Sequence, residues 1–200
     1  MSDIKNSNCY IRVFNKIDEL LKKDDKLLTI AIDGRCGSGK SHLAELLARS
    51  YECNVFHMDD FFLPFEMRTK ERLGQPGGNV HYERFKEEVL TPLRDNQTVI
   101  YRPYICGQWR FDKPKKTGSK KLNIIEGSYC LHPQLRELYD LSIFMEVEHE
   151  EQLKRILKRN GKEKLQDFIE KWIPLENLYF SSFNIKDMCD IIIDTTLQKK

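Results

Sequence analysis

The sequence predicts an α/β fold: a mostly parallel five-stranded sheet with helices on both faces, a small hairpin insert and a helical lid. Two observations carry this. Short apolar runs, most of them without the alternation that a sheet with one wet face would show, alternate with segments of helical spacing, as in a parallel sheet covered on both sides. The first of these runs, Leu27-Leu28-Thr29-Ile30-Ala31-Ile32, leads into a glycine-rich turn, and a helix-forming stretch, His42-Leu43-Ala44-Glu45-Leu46-Leu47-Ala48, follows that turn. No repeat and no linker divides the 200 residues, so the expectation is one domain over residues 1–200, with an insert at roughly 60–121 and a lid at roughly 150–180.

In chain order, Ile11, Phe14, Ile17, Leu20 and Leu21 fall at helical spacing, which predicts a helix over 10–23 with one buried face. Its Asn15-Lys16-Ile17-Asp18 matches N-K-x-D, the guanine-reading motif, but it lies upstream of the glycine-rich turn where a guanine reader follows late strands; it is a coincidence. The turn itself, Gly34-Arg35-Cys36-Gly37-Ser38-Gly39-Lys40-Ser41, reads G-x-x-x-x-G-K-S, the P-loop pattern, between the strand and helix that pattern needs. With it the predicted class becomes the P-loop NTPase fold. Residues 54–57 form the next strand, and Met58-Asp59-Asp60-Phe61-Phe62-Leu63-Pro64 leaves its carboxyl end. Residues 66–80 read as a polar loop and Tyr82 to Leu93 as a helix. Two short extended stretches follow, at 98–104 and 109–111. Lys113 to Lys121, with five lysines, Pro114 and Gly118, reads as a solvated hairpin or loop. Leu122 to Gly127 is a buried strand ending in Glu126, Pro133 to Leu138 a short helix, and Leu141 to Val147 another strand. A basic helix over 150–159 stops at Asn160-Gly161, a left-handed cap signal; a further helical stretch over 163–172 precedes Pro174, and Asp190 to Asp194 is a last buried strand.

Composition excludes several classes. With 40% hydrophobic and 32% charged residues the chain is of ordinary globular type, and 33 basic against 31 acidic residues leave +2, so no global field draws it to nucleic acid or a membrane. The longest apolar runs are far below the roughly 20 residues of a membrane span. Six cysteines, never as C-x-x-C, read as free thiols, and the first residues lack the apolar core of a signal peptide; the expectation is a cytoplasmic protein.

Chemistry concentrates at the carboxyl ends of the strands, where open α/β sheets bind ligands. The P-loop glycines let backbone N–H groups curl around phosphate oxygens, Lys40 reaches the β- and γ-phosphates, and Ser41 takes a Mg²⁺ position; the nucleotide stretch is Gly34 to His42. Asp59, at the end of the second strand, can orient an incoming hydroxyl and accept its proton, whereas Asp60 reads more simply as a turn cap. Glu126 ends a buried strand, where an unpartnered carboxylate is costly and a metal role accounts for it. Arg155 and Arg159 share one helix face: they either neutralise charge on a transferring phosphoryl group or are a solvated face favoured by the helix dipole. Phe61, Phe62, Tyr101, Tyr104 and Trp109 form an aromatic set that suits a flat acceptor or a plain core.

These segments together, Ala31-Ile32-Asp33-Gly34 through the P-loop, Met58-Asp59-Asp60-Phe61-Phe62, Tyr101-Arg102-Pro103-Tyr104, Ile124-Ile125-Glu126-Gly127 and the basic helix, resemble uridine kinases and their relatives, including phosphoribulokinase and pantothenate kinase, over residues 27–195. The resemblance implies a kinase domain with ATP as donor, Mg²⁺ held through Ser41 and an acidic pair, Asp59 as catalytic base, Glu126 at the metal, Arg155 and Arg159 as lid arginines, and Tyr104 beside a base. It departs from the family where uridine kinases carry an aspartate for the ribose hydroxyls, since Asn79-Val80-His81 offers His81, and where they carry a histidine for the pyrimidine, since Trp109 stands there. The implied reaction is phosphoryl transfer to the 5′-hydroxyl of uridine or cytidine. The alternatives are a kinase of another small metabolite, such as a sugar phosphate or pantothenate-like alcohol, and an ATP-binding switch without transfer. The implied partner is a small-molecule substrate, and a homo-oligomer is open. Lys171 to Phe180 belongs to the same likeness, and packing under the lid is the only role the sequence offers it.

Overall fold

The structure, a computed structural model, describes residues 9–23 and 26–197. Strands β1 (Leu28–Gly34), β2 (Cys53–His57), β7 (Leu122–Glu126), β8 (Leu141–Glu146) and β9 (Ile191–Asp194) form one parallel sheet in the order β2-β7-β1-β8-β9. β1 and β7 lie inside it and are buried at every position, the polar Thr29, Asp33, Asn123 and Glu126 included. Alternate residues separate the two faces. Ala31, Phe56, Ile125 and Phe144 pack with the insert and the C-terminal helices. Ile30, Ile32, Ile124, Ile143 and Met145 pack against Val13, Phe14 and Ile17 of helix Ile11–Lys23 and Leu43 and Leu47 of helix Lys40–Ser50.

β9 differs from its expectation. It is an edge strand whose residues alternate, Ile191 and Ile193 inward and Ile192 41% exposed, because only the face that carries Ile191 and Ile193 packs on the core. In the insert, β3 (Val99–Tyr101) pairs antiparallel with β6 (Lys115–Thr117), and β4 (Tyr104–Ile105) with β5 (Arg110–Phe111). The lysine-rich stretch is thus partly a solvated hairpin strand, with Lys115 Nζ 2.9 Å from Asp60 Oδ2. The helix expected over 82–93 is present with a π-helical turn, Lys86–Leu90, between Tyr82–Phe85 and Thr91–Arg94.

The C-terminal helices bear most on the site. Helix His149–Asp167 breaks at Gly161 (φ 81°), where Asn160-Gly161 signalled a stop. The chain does not leave the helical path before Pro174, however. Phe168–Trp172 makes a π-helical turn and Ile173–Ser182 continues beyond it, with Pro174 in the first turn of the new segment, where its missing N–H is tolerated. Among the described residues no helix is long and apolar enough to cross a membrane.

Candidate nucleotide and phosphoryl-transfer site

β1 delivers the P-loop at the carboxyl edge of the sheet. Gly34 pairs in register with Met145, and Ile32 and His57 both lie level with Glu126, so the ends of β1, β2, β7 and β8 meet in one crevice. The loop turns through Gly37 (φ 76°) and Gly39 (φ 95°) into helix Lys40–Ser50, whose first N–H groups have no partner within the helix and open on the crevice. Lys40 is buried, and its Nζ donates to the carbonyls of Gly34 (2.7 Å) and Arg35 (3.0 Å). That hydrogen bonding holds the ammonium against the loop it would serve. His42 lies on the exposed side of the same helix, 6.5 Å from the ring of Tyr10.

Three acidic or hydroxyl groups gather beside it. Ser41 Oγ donates to Glu126 Oε2 at 3.1 Å, and His57 Nδ1 lies 2.5 Å from Glu126 Oε1. Glu126 in turn raises the His57 pKa above its ordinary value through that contact, against the effect of burial. Asp59 sits on the 3₁₀ turn Met58–Phe61 that leaves β2. By surface area the residue is open to the crevice, yet protein crowds its carboxyl, and that desolvation, together with the nearby Glu126, raises its pKa while Lys40 and His57 oppose the rise. Asp60 is turned away, accepting from Tyr101 Oη (2.8 Å) and Lys115 Nζ (2.9 Å). Among the described residues no group of three or more His, Cys, Asp or Glu side chains forms a metal cage. A Ser41–Glu126 pair beside Asp59 instead suits Mg²⁺, which binds through one or two carboxylates and substrate phosphates.

Arg155 reaches the loop and Arg159 does not. Arg155 is fixed by Glu151 (2.9 Å) and by Thr195, donating to its carbonyl at 2.6 Å and its hydroxyl at 3.0 Å, and Nη1 lies 3.4 Å from the Gly37 carbonyl. One turn on, Arg159 is exposed, bonded to Asn160 and set over Phe168.

On the insert side, a cavity of about 300 Å³ is lined by Phe62, Arg68, Leu73 and Asn79 from the insert and by Glu170, Lys171, Trp172, Pro174 and Leu175 from the C-terminal helices. The Phe62 and Trp172 rings are 6.2 Å apart. The Asn79 amide nitrogen is buried without a hydrogen-bond acceptor. His81, Tyr104 and Trp109 are not among these walls. His81 Nδ1 is buried and unpartnered, and burial lowers its pKa. Tyr104 is buried with its hydroxyl accepting from Phe65 N–H (3.1 Å), while Trp109 is 54% exposed and packs on Phe65 and Arg68.

Sequence reasoning missed Asp33 and the side of helix Ile173–Ser182 that faces the loop. Asp33 is fully buried and accepts from the N–H groups of Gly34 (2.7 Å), Tyr129 (3.2 Å) and Leu131 (2.9 Å) and from Tyr179 Oη (2.9 Å). Glu176 and Asn177, from the same helix as Tyr179, reach Cys36 and Arg35. The only signal was polar residues in an apolar stretch, Pro174-Leu175-Glu176-Asn177-Leu178-Tyr179, which does not say what they touch.

Burial pushes the Asp33 pKa up to about 6 from 3.8, more than its hydrogen bonds and Lys40 pull it down. The folded chain therefore holds that proton more tightly than the unfolded chain, and ionising Asp33 costs stability as pH rises from about 4 to about 6. In Asp33→Asn that component disappears, while the new N–H₂ faces N–H donors and lowers overall stability by about 1–3 kcal/mol. Thermal melts of both proteins between pH 4 and 7 measure it, and parallel profiles would show that Asp33 titrates normally.

No protein-family model matches the chain. Curated sequences do: the uridine kinase of Streptococcus gordonii is 25% identical over 183 residues, 83% of this chain and 85% of its own. That of Ligilactobacillus salivarius is 24% identical over 189 residues, 87% and 88% of the two chains. The chain is uridine kinase-like. Its fold is shared by solved structures. A structure described as a possible uridine kinase from Bacillus stearothermophilus superposes with a TM-score of 0.68 at 19% identity, covering 92% of this chain and 100% of that one. A candidate fructose transport system kinase from Silicibacter superposes at 0.71 and 21%, covering 94% and 99%. The likeness to the curated uridine kinases makes the chain a kinase; the solved structures show the shared fold.

Proposed function

We propose that the chain transfers the γ-phosphate of ATP to the hydroxyl of a small molecule, the 5′-hydroxyl of uridine or cytidine being the first candidate, and that it works as one cytoplasmic domain. The observation that carries the reading is the meeting of Ser41, Glu126 and Asp59 beside Lys40 at the end of the P-loop. The loop amides and Lys40 bind the phosphates. Ser41, Glu126 and Asp59 would hold Mg²⁺, which supplies charge neutralisation on the phosphates when bound. Asp59 orients the acceptor hydroxyl and takes its proton; a loose transition state makes positioning the larger part of that work. Arg155 steadies the loop and faces charge on the phosphates, with Arg159 further out on the lid formed by residues 150–180. Phe62 and the cavity between insert and lid receive the acceptor.

A kinase of another small alcohol is the second reading, and one observation favours it. The Tyr104 hydroxyl is occupied by Phe65 N–H and Trp109 lies on the outer surface, so two residues that would flank a pyrimidine face elsewhere. Incubation with γ-labelled ATP, Mg²⁺ and a panel of uridine, cytidine, sugars, sugar phosphates and pantothenate-like alcohols decides. Label on uridine or cytidine is expected; label only on another acceptor selects the second reading, and nucleotide binding with no transfer to any acceptor removes both.

A further inference from the structure

Helix Ile173–Ser182 reaches the P-loop with three side chains. Glu176, 4% exposed, accepts from the Cys36 N–H through Oε2 (2.9 Å) and from Ser128 Oγ through Oε1 (2.6 Å). Asn177 Oδ1 accepts from Arg35 Nη1 at 2.7 Å, and Tyr179 Oη donates to Asp33. Each of the three side chains bonds to a residue within 33–36, where the strand becomes the loop, and none bonds to Gly37 through Ser41. The Cys36 carbonyl is held from the other side by Gln152 Nε2 (3.0 Å) of helix His149–Asp167. Both polar groups of the Cys36 backbone are therefore answered by buried side chains from the two C-terminal helices.

We propose that Glu176 is a positioning residue for the donor site. By satisfying the Cys36 N–H it fixes the first half of the loop in the empty protein, so that the amides of the second half stand ready for the triphosphate. It touches neither donor nor acceptor. A carboxylate lodged among P-loop amides has a rival explanation, a plug that nucleotide must displace. The geometry points away from it: Glu176 is tied to Ser128 and its neighbours to Arg35 and Asp33, all on the strand side of the loop. The proposal rests on the reading of this loop as an ATP site.

Ordering a loop in advance reduces the cost of binding. Loss of the bracket therefore appears in ATP affinity, and ATP once bound restores the loop for chemistry. Glu176→Ala is expected to raise the Kd of a fluorescent ATP analogue and the KM for ATP at least tenfold, with kcat at saturating ATP within threefold of wild type. Glu176→Gln keeps an acceptor for Cys36 N–H, lets Ser128 donate instead to the nearby Gly34 carbonyl and removes the charge; it is expected within threefold of wild type throughout. A plug predicts tighter ATP binding in both variants, and a purely structural part predicts kcat and KM damaged together in both; either result overturns the proposal, as does an unchanged Kd in Glu176→Ala. Should the alanine variant not fold, Glu176→Asp, one methylene short, must weaken ATP at least threefold where Gln does not, and the reverse order overturns it. A wild-type chain that fails to bind the analogue overturns the donor-site reading itself, and this proposal with it.

Discussion

Asp59→Asn is expected to bind ATP with a Kd within about twofold of wild type and to lose roughly 10²- to 10⁴-fold in kcat, the range for a positioned general base. The substitution keeps the size of the side chain and an oxygen that can accept a hydrogen bond, so the acceptor hydroxyl still docks. It removes the negative charge that would take the proton in the proposed transfer, and it places an amide beside Glu126, relieving the repulsion that helps hold the Asp59 pKa above its usual value. Without a bound cation the raised pKa is expected to give Asp59 a titration above the ordinary carboxylate range that vanishes in Asp59→Asn, and Mg²⁺ held beside it favours the charged form and works against the rise. Single-turnover transfer with labelled ATP across pH 4–8 checks the loss of turnover. A variant with wild-type kcat would remove Asp59 from the chemistry, and one that had lost ATP binding would make holding Mg²⁺ on the donor its main part.

Gly34→Ala is expected to cost at least about 3 kcal/mol, lowering the melting temperature by about 6–12 °C for a chain of this size. Gly34 has φ 133°, and a Cβ there would lie 2.1 Å from the Met145 carbonyl oxygen and 2.7 Å from its nitrogen. Those atoms are backbone held in the sheet register Gly34↔Met145, and the same carbonyl accepts from Arg35 N–H at 3.1 Å, so no side-chain rotamer can give way. Lys40 Nζ is bonded to the Gly34 carbonyl, so any shift that relieves the clash also moves the lysine, and nucleotide binding is expected to fall with stability. Differential scanning calorimetry with and without ATP measures the two together; a melting temperature within about 2 °C of wild type would mean that β1 and β8 separate more easily than their pairing implies.

The P-loop was legible because its chemistry is local. Glycine spacing, a lysine and a hydroxyl within eight residues specify the turn, and the apolar runs around it specify a buried parallel sheet. Asp59 and Glu126 were legible for a related reason: both stand at or just beyond the carboxyl ends of strands, and strand ends in such a sheet meet in one crevice. His57 was not singled out, since nothing in Asn54-Val55-Phe56-His57 indicates that its ring meets Glu126 in register from a neighbouring strand. The helical stretch read over 163–172 runs on past Pro174 because a proline in the first turn of a helix lacks only a donor that has no partner there anyway, and a π-helical turn carries the chain into it.

By itself, then, the sequence determined the kind of sheet, the glycine-rich turn after its first strand and the carboxylates at the strand ends beside that turn, all consequences of periodicity and short-range spacing. The tertiary structure alone decided which side chains from more than a hundred residues away complete the loop. Glu176, Asn177 and Tyr179 are joined to residues 33–36 by packing of helix Ile173–Ser182 against the sheet's carboxyl edge, and hydrogen bonds between groups so distant in the chain leave no periodic trace. The tertiary structure also turned Tyr104 and Trp109 away from the cavity between insert and lid, because the burial of Tyr104 and the left-handed turn at Trp109 (φ 52°) depend on how the short hairpins fold upon one another.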